Sequence, residues 1–229
     1  MLIILFLLIQ MYVNSINIID LNTKNTIILR GSINQESVSN TINEINKHNN
    51  KSNIYLILDT PGGDVYHGMQ IINEVEYHKI NCIVQKAYSM GFAILQACNI
   101  RYILPHATVM QHQMSLGLDG EFEKIKNYFS MINQYNMYLT NLQSNRINVN
   151  PDDFMNKINN EWWLFGSNII NENVADHMVY IKCTPSLTNN NYTISVGNYD
   201  YTYSSCPLIT KELKKSKNKK GSDFSFIFV

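Results

Sequence analysis

The stretch IYLILDTPGGDVYHGM, residues 54–69, decides the fold. Residues 54–58 are apolar or aromatic without a break, the pattern of a parallel strand buried on both faces. Pro61-Gly62-Gly63 then turns the chain, and over residues 68–77 Met69, Ile72 and Val75 recur at helical spacing. A buried strand that turns directly into an amphipathic helix is half of a βαβ unit.

The same texture continues on both sides. Residues 26–30 (TIILR) read as a strand and residues 35–48 as a helix carrying Val38, Ile42 and Ile45 on one side. A further strand begins at Cys82 and ends at Ser89, followed by a buried helix over residues 92–97. Residues 101–104 and 108–111 read as two short strands. Past Gly120 a long helix carries Phe122, Ile125, Phe129, Ile132, Tyr135 and Leu139 three or four apart, read as ordinary packing surface. A shorter helix opens at Pro151 with acidic residues in its first turn, and residues 162–165 are strand-like. Four segments result: residues 1–18, a signal or anchor candidate; 19–183, the main α/β domain; 184–209, an appended β-hairpin turning at Gly197-Asn198; and 210–229, a lysine-rich tail expected to be mobile and solvated.

Composition narrows the function. With 229 residues, 45% of them hydrophobic, the chain can bury one sizeable core. Its formal net charge is zero, so no overall basic field draws it to nucleic acid. Cys82, Cys98, Cys183 and Cys206 show no metal-ligand spacing and read as buried thiols, with disulfide pairing left open to an exported chain. No metal or cofactor site is evident. The apolar run at residues 2–9 is too short to span a bilayer and lacks a positive flank. It fits a targeting signal or a hydrophobic first element, which leaves membrane association open, and location open between cytoplasm and an organelle lumen.

Ser89 stands where a buried strand gives way to a helix, at the carboxyl edge where open α/β sheets place their ligands. The nucleophile elbow of the α/β-hydrolases uses this geometry, although G-x-S-x-G is absent here. At a helix start the Met90 amide is an orphan donor, suited to a developing oxyanion, and Gly91 leaves the approach uncrowded. A serine needs an oriented base. Of the six histidines, His112 ends a strand and projects from the same sheet edge. Gly62 and Gly63 form a second turn there, and their open amides suit the other half of an oxyanion hole.

The ordered set DTPGGDVYHGM, AYSMGFAIL, ILPHATVMQHQ and, more weakly, EWWLFGSNIINENVADHMV resembles the proteolytic subunits of the Clp protease, self-compartmentalising serine peptidases. The resemblance implies a superhelix of βαβ units shared with the crotonases, with the long helix as a protruding handle. It implies a serine endopeptidase for unfolded protein or peptide, with Ser89 as nucleophile, His112 as base, and the Gly63 and Met90 amides as oxyanion hole. It further implies a homo-oligomer of stacked rings fed by a separate AAA+ unfoldase. Substrate backbone would run along Gly62 and the extended stretch holding Ser115, Leu116 and Gly117.

The family's third triad position, an aspartate, is Glu161 here; Asp153 and Asp176 are the substitutes. Glutamate can hold an imidazole tautomer, but its extra methylene moves the carboxylate. Lys86 and Met114 also depart from the family pattern, which keeps a catalytically inactive ring subunit as the alternative. A Ser-Lys mechanism through Lys86 is disfavoured, because residues three apart on a strand face opposite ways.

Overall fold

A computed structural model describes residues 17–48 and 51–217. The apolar run at residues 2–9 lies outside them. Strand β1 (Ile18–Leu21) leads into β2 (Thr26–Arg30), α1 (Gln35–Lys47), β3 (Tyr55–Thr60), α2 (Val65–His78), β4 (Asn81–Tyr88), α3 (Met90–Ala97) and β5 (Arg101–Gln111). Strands β2 to β5 are parallel neighbours in sequence order, so three helices in succession cross between adjacent strands. Then come α4 (Phe122–Ile147), α5 (Pro151–Ile158) and β6 (Trp162–Phe165), which closes the sheet antiparallel to β5. The architecture is mixed α/β with a mostly parallel sheet.

The two sheet faces follow from the two-residue period of a strand. Ile27, Leu29, Leu56, Leu58, Cys82 and Val84 belong to the main core with residues of α1, α2 and α3. On the other face Ile57 and Ile83 pack with Leu21 of β1, Val179 and Leu187. Local chemistry sets the helix starts. Asn34 and Ser37 form a reciprocal capping box on α1, and the Asp64 side chain accepts from the His67 amide at 2.8 Å to cap α2. The aspartate of the Pro-Gly-Gly-Asp motif therefore fixes where the turn becomes helix.

Four expectations change. Residues 101–111 form one strand, β5, because Ala107 and Val109 are buried and the pairing with β4 resumes at Thr108 after a register shift. The stripe on α4 is not a packing surface within the chain over its first half: Phe122 is 77% and Phe129 53% exposed, whereas Ile132 and Leu139 are buried. The cysteines are paired rather than free, as Cys82–Cys98 and Cys183–Cys206. Their partners could not be read from spacing, since β4 and α3 meet only because the chain reverses at Ser89.

Finally, the C-terminal element has three strands. After α6 (Ser167–Asn171), β7 (His177–Met178), β8 (Tyr180–Cys183) and α7 (Pro185–Thr188), strands β9 (Asn191–Val196) and β10 (Tyr199–Ser204) pair as a hairpin. Strand β11 (Lys214–Lys217) adds to β10 from within the segment expected to be a mobile tail. Lys215 Nζ lies 4.5 Å from the Tyr199 ring centroid and 5.1 Å from that of Tyr201, so aromatic faces hold the lysine strand in register.

Cys82–Cys98 closes a loop of sequence separation 16. Loops of that size are stabilised by about 3 kcal/mol when cross-linked. The Cys82→Ala/Cys98→Ala variant is expected to lose that amount in urea unfolding. Reductant opens Cys183–Cys206 in both proteins and Cys82–Cys98 in the wild type alone, so a difference that disappears in reductant assigns the loss to the bond, and one that persists assigns it to packing.

Candidate active site

Three segments converge at the carboxyl edge of the sheet. Pro61 to Asp64 follow β3, Ser89 follows β4, and His112 follows β5. Because Tyr88 is paired with Met110, Ser89 and His112 leave neighbouring strands at almost the same level. The Ser89 amide donates to Met110 O at 2.8 Å, extending that pairing through the serine itself.

Ser89 has φ 52° and ψ −118°, a left-handed backbone that side-chain-bearing residues rarely adopt. Its side chain does not cap α3, although it occupies the N-cap position. A serine that spends strain on a sharp strand-to-helix turn and leaves its hydroxyl uncommitted is arranged as nucleophile elbows are. The Phe92 and Ala93 amides donate to Ser89 O at 2.9 and 3.3 Å, so α3 is well started. Met90, as its first residue, has an amide with no helical acceptor behind it.

Glycine is required beside this turn. A Cβ on Gly62 would stand 2.7 Å from both Ser89 Cβ and Tyr88 O, and one on Gly63 would stand 2.3 Å from Ile33 O. Gly62 and Gly63 have φ of 93° and 150°. The turn is held by Gly62 N donating to Thr60 Oγ1 at 3.0 Å and by Ile33, whose amide donates to Gly62 O and whose carbonyl accepts from Asp64 N, each at 2.9 Å. Gly91 serves differently from expectation: its missing Cβ makes room for Thr60 Cγ2, 2.6 Å from where that Cβ would lie, so it packs α3 on β3 and does not clear a substrate path.

Ser89 and His112 are both half-buried. The His112 amide donates to Gln111 Oε1 at 3.0 Å, and the buried Gln111 amide nitrogen donates to Gln143 of α4, whose own amide nitrogen donates to Leu139 O. The segment carrying His112 is thus anchored on the long helix by two buried glutamines, Gln111 and Gln143, that sequence spacing does not single out. Among the described residues neither Ser89 Oγ nor the His112 imidazole makes a side-chain hydrogen bond.

The antiparallel register that pairs Gln111 with Trp162 carries Glu161 opposite His112 if continued by one residue. Its carboxylate is turned elsewhere: Glu161 is exposed, has φ 59°, and its Oε2 accepts from Trp163 Nε1 at 2.9 Å. Backbone placement therefore brings the candidate triad together while its side chains remain unlinked. The substitutes fare worse. Asp153 lies exposed in the first turn of α5. Asp176 pairs with the buried Arg101 at the opposite end of β5, 2.6 Å from Nη2; at ~3.3 Å per residue that end is on the order of 30 Å from His112. Burial pushes the Asp176 carboxyl up, but Arg101 hydrogen bonds and charge, with Arg146, outweigh this and hold it below the ordinary carboxylate range.

Lys86 Nζ is 3.4 Å from Asp59 Oδ1. That ion pair engages the Lys86 ammonium with its register partner on β3. Ser115, Leu116 and Gly117 lie in an exposed segment without strand pairing between β5 and α4.

The family model described as Clp protease matches residues 9–189. The chain belongs to the Clp protease family. It is similar to ATP-dependent Clp protease proteolytic subunit 2 of Tropheryma whipplei, at 24% identity over 58% of this chain and 77% of that protein. It is also similar to the ATP-dependent Clp protease proteolytic subunit of Borreliella afzelii, at 25% identity over 67% of this chain and 82% of that protein. With proteolytic subunit 1 of Frankia casuarinae the identity is 33%, over 42% of this chain and 49% of that protein. These identities mark a divergent member of the Clp protease family. Strands β9 to β11, at residues 191–217, lie beyond the matched region.

Proposed function

We propose that the chain is a serine endopeptidase that hydrolyses unfolded polypeptide inside a chamber of stacked homo-oligomeric rings. The observation that carries this reading is the Ser89 elbow, strained, uncapped and set between the Gly62-Gly63 turn and the strand end bearing His112. His112 takes the Ser89 proton as Oγ attacks the peptide carbonyl. The Gly63 and Met90 amides receive the oxyanion, and the imidazolium returns its proton to the leaving amine. Water, deprotonated by the same imidazole, then cleaves the acyl ester and frees Ser89. Glu161 joins by exchanging its Trp163 partner for the imidazole.

Substrate backbone is proposed to lie between Gly62 and the Ser115, Leu116 and Gly117 segment, which has no strand pairing among the described residues. The exposed first half of α4 would supply the contact between rings, as the superhelical fold with its handle implies. No G-x-x-x-x-G-K-[ST] occurs in the sequence, so coupling to ATP would come from a separate AAA+ unfoldase.

One observation favours a second reading, an inactive ring subunit: the Glu161 carboxylate is bound to Trp163 while the His112 imidazole has no hydrogen-bond partner among the described residues. Incubating the full chain, with its oligomeric size measured, with an unstructured polypeptide separates the two. New peptides released by the oligomer and lost in His112→Ala are expected; an assembled ring that releases none is the scaffold.

A further inference from the structure

We propose that Arg30 is a positioning residue through which the C-terminal three-stranded sheet sets the geometry of the Gly62-Gly63 turn. The proposal rests on the peptidase reading for its catalytic consequence, but the mechanical coupling is independent of it.

Arg30 is the last residue of β2, and its side chain is only 12% exposed. Its Nε donates to Asp59 Oδ2 at 2.9 Å, its Nη1 to Tyr192 OH at 2.8 Å, and its Nη2 to the Pro207 carbonyl at 3.2 Å. The guanidinium carbon also lies 5.9 Å from the Tyr203 ring centroid. One planar fork thus joins β3 of the main sheet to three residues of the C-terminal element. Further ties of that element run to the short segment leading into it, among them Cys183–Cys206 and Ser204 Oγ donating to Thr188 O at 3.0 Å.

From Arg30 the contacts lead to the site without a gap. Gly31 N donates to Asp59 O at 3.1 Å, and Ile33 grips the turn on both sides of Gly63 through Gly62 O and Asp64 N. Gly63 lies so near Ile33, and Gly62 so near Ser89, that neither place accepts a methyl group. Close-packed backbone passes displacement on rather than absorbing it. A shift at the end of β2 therefore moves the Gly63 amide relative to Ser89. About 1 Å of misplacement costs on the order of 10²-fold in rate.

The chemistry requires arginine. A lysine would keep the charge opposite Asp59 but could not hold three acceptors at fixed angles while lying over a ring. If Arg30 merely balanced Asp59, lysine would restore it.

The test compares full-length wild type, Arg30→Met, Arg30→Lys and Tyr192→Phe. The rate of Ser89 modification by a fluorophosphonate and the hydrogen exchange of the Ile33 and Asp64 amides are read for each. Labelling is expected to slow by about 10- to 100-fold in Arg30→Met and nearly as much in Arg30→Lys. Tyr192→Phe, which removes one acceptor and keeps the fold, should slow it by several-fold. In all three the Ile33 and Asp64 amides should exchange faster. Wild-type labelling rates in Arg30→Met, or full rescue by lysine, overturn the proposal. If wild type itself is never labelled, the peptidase reading falls, and exchange at Ile33 and Asp64 decides the coupling alone: unchanged exchange refutes it.

Discussion

Ser89→Ala is expected to lower peptide-bond hydrolysis by about 10⁶-fold, His112→Ala by a comparable factor, and the double variant by no more than either. The reason is that nucleophile and base act as one unit: a hydroxyl without an acceptor for its proton is a poor nucleophile, and an imidazole without the hydroxyl has nothing to activate. The elbow already commits Ser89 to a φ of 52° and leaves its side chain free of any capping role, so the alanine variant loses chemistry with little loss of structure. Steady-state kcat on an unstructured peptide measures this. Losses that multiply in the double variant would mean that the two residues act in separate steps.

The second large effect is expected at Gly62. Its replacement by alanine introduces a methyl group 2.7 Å from Ser89 Cβ and Tyr88 O, and neither of these is the loose end of a flexible side chain. Either the turn retreats and withdraws the Gly63 amide, or the elbow moves. Loss of one oxyanion donor costs about 10²- to 10³-fold in kcat, and a displaced nucleophile adds to it. Gly197→Ala is the control, because φ there is also positive, at 57°, but nothing lies within 4 Å of the new methyl group. The control should show backbone strain of roughly 1–3 kcal/mol with hydrolysis retained. Equal losses of activity in the two variants would place the effect in strain rather than at the site.

What could be read from the sequence was what short-range patterning encodes. The unbroken apolar run before Pro61 gave a buried parallel strand, and the apolar residues flanking Ser89 gave a strand and a helix meeting at it. What escaped depends on long-range contact. Cys82 meets Cys98 because β4 and α3 pack side by side, which spacing does not reveal. Gln111 and Gln143 look like ordinary polar residues of a strand end and a helix, and their pairing beneath His112 follows from how α4 docks. The lysines of β11 have the composition of a solvated tail, and the rings of Tyr199 and Tyr201 fix them on a sheet edge. Glu161 stands one residue beyond the register that pairs Gln111 with Trp162, and an indole two residues away, which sequence position does not reveal as a partner, holds its carboxylate.

Peptidase activity requires one reactive hydroxyl, and mapping the adduct of a fluorophosphonate by mass spectrometry of the intact, assembled protein tests for it most directly. A single phosphonyl group on Ser89 in wild type, absent from His112→Ala, is the result expected. A wild-type protein that stays unmodified, or that reacts at Ser89 equally well without the imidazole, would contradict it.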